Sequence, residues 1–324
     1  MNSRRQLLTA SVLFLLTHLL TKGSALMAQE KSRLVFGTAT PGGGFPAYGW
    51  PYAEVLNAAD PTLGIEPINT KGSTENVVSL EQDKLDLGLV TGEVTYEAIK
   101  GIGGPAAKNL RIINATYSQA GMFIVPANSP YKTIADLKGK PIVWGAGTSG
   151  FIVLARYVMD GMGLDMNKDF DPILLKSAGE GPPMVLDGRA AAMWGGGLGW
   201  PPFASIAKGP AGARFIGPSP EENKRIMAKH SFLKAASMAA NSYPGQTDPV
   251  HSVGSWPFVL ARASLPDEVA YKLARALHQS EGAFAQKLAQ AAESTLTNTL
   301  AAAPSRELIH PGVLKYMREA GLLK

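Results

Sequence analysis

The chain has 324 residues, with 31 Lys and Arg against 26 Asp and Glu, and no cysteine. The missing cysteine excludes disulfides, thiolate catalysis and thiolate-held metals. The near balance of charge gives no support to nucleic-acid binding, which needs a clustered basic face.

The first elements set the compartment. Asn2-Ser3-Arg4-Arg5-Gln6 is a short positive segment, and residues 7–20 are an apolar run broken only by Thr9, Ser11, Thr17 and His18. Small residues follow at Ala25 and Ala28. This order is that of a cleaved secretory signal peptide, here 1–28. The run of 14 residues falls short of the roughly 20 needed to span a bilayer. Cleavage after Ala25 or Ala28 fits, and Ser3-Arg4-Arg5 with Leu7-Leu8 also matches a twin-arginine signal. The segment carries Arg4, Arg5 and Lys22 and no acid. Thirty-one basic residues less these three leaves 28 against 26, a net charge of +2 in place of +5. The expected location of the mature chain is the periplasm.

From there the pattern is strand, loop, helix, repeated. Residues 32–37 read as a strand, 38–46 as a glycine-rich loop, and Tyr52, Val55, Leu56 and Ala59 recur at helical spacing before Asp60-Pro61. A second strand at 65–69 leads to Ser73, a good helix N-cap. Leu85, Leu87 and Leu89 alternate with Asp86 and Gly88 at strand period. The plan returns further on: a strand at 141–144, the loop Gly145-Ala146-Gly147-Thr148-Ser149-Gly150, a helix marked by Leu154, Val158 and Met162, and a strand at 171–175. Residues 185–194 echo 80–90. Apolar runs at 121–126 and 255–260 read as two crossings between lobes, and 264–267 opens a long helix with Leu273, Leu277 and Phe284 on one face.

The expected fold class is therefore α/β and two-lobed, each lobe a mixed, mostly parallel sheet flanked by helices, with two hinge crossovers. The expected division is 29–123 with 257–324 as lobe 1, and 124–256 as lobe 2. In such sheets a ligand sits at the carboxyl ends of the strands.

The 145–150 loop is formally G-x-G-x-x-G, but its next strand ends in Lys176-Ser177-Ala178 and not in the acid that holds a ribose. A dinucleotide is not expected, nor any other cofactor. The loop offers Thr148, Ser149 and Gly150 at a helix N-terminus, which suits an anion; its glycines serve equally for a tight turn. Thr40, Gly43, Gly44 and Phe45 belong to the matching loop of the first lobe. Ser73 and Asn76 are ligand donors or, for Ser73, only a cap. Lys71 stands beside them, either neutralising a carboxylate or solvated. Thr91 and Glu93 end a strand; Glu93 either caps its helix or meets a ligand ammonium. Gly196 and Trp200 close another strand, with Trp200 walling the pocket or packing. The histidines at 230, 251, 278 and 310 have no metal-ligand spacing, and no G-x-S-x-G elbow occurs. Neither a metal nor an enzymatic activity is expected.

These residues resemble the TAXI-type receptors, the TRAP-associated extracytoplasmic solute-binding proteins. The resemblance runs from about Leu34 to Leu322. It is carried by Gly72-Ser73-Thr74-Glu75-Asn76, by the L-D-L-G-x-V strand at 85–90, by Tyr96-Glu97-Ala98, by the D-L-K-G-K turn at 136–140, and by His310-Pro311-Gly312 with Glu319-Ala320-Gly321. Lys71, Glu93 and Ala191 depart from the family pattern. The resemblance implies a type II periplasmic-binding fold, a small carboxylate or amino-acid ligand, and membrane permease subunits of a TRAP-type transporter as partners. A ligand-sensing ectodomain serving a signalling partner is the alternative.

Overall fold

The computed structural model describes residues 32–323. The signal-peptide reading of 1–28 lies outside the described residues.

Two sheets organise the chain. The first has the order β2-β1-β3-β12-β4, built from β1 (Ser32–Gly37), β2 (Leu63–Ile68), β3 (Leu87–Val90), β4 (Leu110–Ala115) and β12 (Phe258–Arg262). The second has the order β10-β11-β5-β8-β6-β7, with β9 also pairing β5. Its strands are β5 (Gln119–Pro126), β6 (Pro141–Ala146), β7 (Asp171–Leu175), β8 (Ala192–Gly196), β9 (Ala213–Ile216), β10 (Lys234–Met238) and β11 (Val250–Ser255). Strands joined through a helix pair in parallel, as β1 does with β2 and β3 and β6 does with β7 and β8. The antiparallel pairs come from β12, β5 and the β9 to β11 segments. The fold is thus α/β with two mixed sheets, and its antiparallel share exceeds what strand–helix alternation alone implies.

Among the described residues there are ten α-helices. Those nearest the site are α1 (Gly44–Ala59), α2 (Ser73–Glu81), α3 (Gly92–Lys100), α4 (Gly150–Met162), α5 (Gly181–Leu186) and α6 (Pro201–Ala207). Then come α7 (Pro220–Lys229), α8 (Asp267–Lys287), α9 (Leu296–Ala302) and α10 (Pro311–Glu319). No helix among the described residues is long and apolar enough to cross a membrane.

The alternation in 85–90 conceals a strand buried on both faces. Leu87, Gly88, Leu89 and Val90 are all buried, because β3 is central and covered on each side. Asp86 stays polar by binding locally: it accepts from Val35 N at 2.8 Å and from Arg262 Nε at 3.0 Å. The long helix α8 lays Leu273, Leu277 and Phe284 into the first core, where Phe284 meets Tyr48 and Tyr52. Each such buried side chain contributes about 2 kcal/mol. The C-terminal α10 packs on α8 and adds Val313 and Met317 to the same core. His310, fully buried, caps it by accepting from Gly312 N at 3.2 Å and faces Leu265 O at 3.0 Å.

The chain passes between sheets at 116–118 and 256–257, and the two passages are tied by Thr116 N donating to Pro257 O at 2.9 Å. The first passage lies before the apolar run at 121–126. That run is β5 itself, enclosed by β8, β9 and β11, which is why its residues are unbroken apolar.

Candidate functional site

A cavity of about 50 Å³ lies between the two sheets, at their facing strand ends. By the measure of roughly 10–15 Å³ per water it holds about four water-sized groups. The first residues of four helices reach it: Gly44 and Phe45 of α1 with Gly43 before them, Ser73 of α2 with Gly72, Thr91 ahead of α3, and Ser149 ahead of Gly150 and Phe151 of α4. Each helix N-terminus presents unpaired N–H groups and a partial positive charge. The caps of α1, α2 and α3 make no side-chain hydrogen bond to those groups.

Three hydroxyls on the wall are held as donors. Thr40 Oγ1 accepts from Ala178 N at 3.3 Å, Ser73 Oγ from Thr91 N at 3.1 Å, and Ser149 Oγ from Phe151 N at 3.3 Å. Each oxygen is thereby oriented while its hydrogen stays available. Phe45, Trp144, Phe151, Trp194 and Trp200 also line it, with the Trp144 and Trp194 rings buried in the core behind. Trp194 Nε1 donates to Phe151 O at 2.8 Å. Trp144 is fully buried and its Nε1–H meets no acceptor among the described residues. No carboxylate among the described residues lines the cavity, and Lys71 is the one charged residue there.

The lobes meet closely around this space. Thr148 Oγ1 donates to Lys71 O at 2.6 Å and Ser177 Oγ donates to Pro41 O at 2.6 Å. Tyr96 stacks on Phe232 at 4.1 Å between ring centroids. Gly150 lies so near Thr91 that a Cβ there would overlap the threonine Oγ1 and Cγ2.

Of the residues the sequence proposes, Thr40, Gly43, Gly44, Phe45, Ser73, Thr91, Ser149, Gly150 and Trp200 line the cavity together. Asn76, Glu93, Thr148 and Gly196 do not. Asn76 Nδ2 donates to Thr38 O and Leu89 O, both at 2.8 Å, which ties β1 to β3. Glu93 is buried and its Oε1 accepts from Ser255 Oγ at 2.6 Å; burial raises its pKa. Thr148 is spent on the Lys71 carbonyl. Gly196 is glycine because a Cβ would overlap Ala120 O, and Gly195 because a Cβ would overlap the Trp200 ring. Sequence reasoning misses Ala39, Gln119, Trp144, Phe151, Ala178 and Trp194. The first-lobe loop and the strand ends that supply them are legible in the sequence, but which neighbours face the space is not. Among the described residues no cluster of His, Asp or Glu is placed to hold a metal.

Two mixed α/β sheets joined by paired crossings, with a cavity at the facing strand ends, are the fold of the periplasmic binding proteins. Residues 36–321 match the NMT1-like family, and the chain belongs to that family. Three solved structures share the fold. One, of a protein from Bordetella bronchiseptica RB50, has 16% sequence identity, covers 89% of this chain and 82% of that one, and gives a TM-score of 0.52. Another, described as a periplasmic transporter, has 14% identity, coverage of 82% and 88%, and a TM-score of 0.53. The third, the substrate binding protein of an amino acid ABC transporter, has 13% identity, coverage of 79% and 98%, and a TM-score of 0.50.

Proposed function

We propose that this protein is a periplasmic solute receptor that captures a small organic anion between its lobes and hands it to the permease subunits of a TRAP-type transporter. The observation that carries the anion is the meeting of four helix N-termini at a cavity lined by no carboxylate among the described residues. Backbone N–H groups and hydroxyls bear the negative charge there without an arginine. The lobes of this reading are those expected from the sequence, 29–123 with 257–324 and 124–256, with the first boundary moved to the passage at 116–118 because β5 pairs wholly within the second sheet. Ligand favours the closed form, in which both lobes contribute donors. Export through the 1–28 signal and the periplasmic location rest on the order of charge, apolar run and small residues in that segment, and the TAXI-type assignment rests on the sequence resemblance.

The test is thermal unfolding of the mature protein, stripped of ligand, against a panel of small carboxylates, sulfonates and amino acids. A ligand at 100 times its Kd adds about 2.7 kcal/mol to stability. A flat response across the whole panel sinks the anion reading. Uptake by vesicles carrying TRAP-type permease subunits, dependent on added receptor, tests the partner.

A further inference from the structure

Resting on the anion reading above, we infer that Gln119 and Trp200 are the specificity-determining pair of the cavity, selecting an acid that carries a neutral hydroxyl or carbonyl beside its negative charge. Both residues line the cavity and are 4% and 6% exposed. The Trp144 nitrogen is sealed in the core; the Trp200 Nε1–H and the Gln119 amide are not, and neither makes a hydrogen bond of normal length among the described residues.

Glycines fix how these groups are turned. The six-membered ring of Trp200 rests on Gly195 of β8, so the opposite, pyrrole edge points toward Gly44 of α1. A Cβ on Gly44 would lie 2.9 Å from Trp200 Cδ1, 3.4 Å from its Nε1 and 3.2 Å from the Tyr117 hydroxyl. Gly44 is itself on the cavity wall. Gln119 is a neighbour of that phenol: burial raises the Tyr117 pKa to about 12, and the Gln119 and Gln290 side chains draw it down. Gln119 also has a firm base. It opens β5 and pairs with Ser255, and Gly254 has no room for a Cβ against the Gln119 carbonyl. A side chain on so fixed a backbone keeps its geometry for a ligand.

The indole only donates, whereas the amide both donates and accepts. A ligand carbonyl takes a hydrogen from each. A ligand hydroxyl takes one from the indole and gives its own to the amide oxygen. A methyl group in that place leaves both polar groups buried and unpaired, the condition under which a site discriminates most strongly. The helix starts at Ser73 and Ser149 remain for the charge.

Isothermal titration with matched short acids tests this. Glycolate, lactate and pyruvate carry the second oxygen; acetate and propionate lack it. The expected result is that lactate or pyruvate binds about ten-fold more tightly than propionate. In Gln119→Met that ratio should fall to about two, with propionate bound as in the wild type, which also shows that the variant is folded. Trp200→Phe supplies the same ratio independently and should lower it too. Equal binding of lactate, pyruvate and propionate by the wild type, a ratio kept by both variants, or binding of none of these acids overturns this inference. The anion reading is decided separately, by the wider panel above: any small anion that raises the melting temperature there sustains it, and a flat response sinks both.

Discussion

The Tyr157 hydroxyl of α4 donates to Glu97 Oε1 of α3 at 2.9 Å, joining one lobe to the other. Arg156 pairs with the same carboxylate oxygen. One helical turn earlier Glu93 reaches Ser255, so α3 carries two links to the second lobe and ends, at Thr91, on the cavity wall. Burial is the first cause of the raised Tyr157 pKa and the Glu97 bond the second, so the phenol remains a donor throughout the neutral range.

Glu97→Ala removes both contacts with the second lobe. The Arg156 side chain is exposed, and an exposed ion pair contributes little; the Tyr157 bond is the larger loss, about 1 kcal/mol. Ligand affinity measured by titration should fall about five-fold, with unfolding of the ligand-free protein scarcely changed. Unaltered affinity would mean that this link does not help to hold the closed form.

Gly150→Ala should disfavour closure. The first residue of α4 accepts alanine conformationally, so the ligand-free protein should stay within about 1 kcal/mol of the wild type. With the lobes together, however, the new Cβ overlaps Thr91. Overpacking of this kind costs about 1–3 kcal/mol, which corresponds to affinity weakened by up to about a hundred-fold. Small-angle scattering at a ligand concentration just sufficient to compact the wild type should show little compaction of the variant.

Glu93 ties stability to pH. Its pKa is raised in the folded state, chiefly by burial, against a smaller lowering by the Ser255 bond. A raised carboxyl contributes stability that is present below the unfolded-state pKa and lost as pH rises through the folded-state value. Glu93→Gln keeps an oxygen to accept from Ser255 and removes the ionisation. The variant should therefore melt higher than the wild type at pH 7, and the gap should shrink as the pH is brought down to the ordinary glutamate range. A gap of constant size from pH 7 to pH 4 would contradict this.

Asn76→Ala should act on stability and not on ligand choice. It removes the amide that ties Thr38 O and Leu89 O in a fully buried position. Thr38 O keeps the Thr70 hydroxyl as a donor at 3.1 Å, so the loss falls on Leu89 O and costs about 1–3 kcal/mol. Denaturant unfolding should show that loss, while the rank order of ligands in titration stays that of the wild type. A reordered series would place Asn76 in the site.

Elements governed by local preference are legible in the chain itself. The strands Ser32–Gly37 and Asp171–Leu175, the start of α8 after Pro266 and the two glycine loops rest on periodicity, proline and glycine, which act within a few residues. The cavity residues nearest those loops, such as Gly43, Ser149 and Gly150, come with them. Asn76 and Glu93 fall outside the cavity wall for a common reason: each is a polar residue at a helix start, and whether it faces a ligand or the protein depends on partners distant in the chain. For Glu93 that partner is Ser255, 162 residues away.

What the sequence by itself determined is the alternation of strands and helices, the glycine-bearing helix starts and the absence of thiol chemistry. These follow from backbone sterics, hydrophobic period and composition, none of which needs a folded neighbour. Only the tertiary structure decided that four helix N-termini share one cavity, that Trp194 is paired while Trp144 is not, and that β5 enters the second sheet from residue 119. Those facts depend on how two sheets built from interleaved stretches of chain come together, and the free energy of that meeting resides in contacts between residues far apart in sequence.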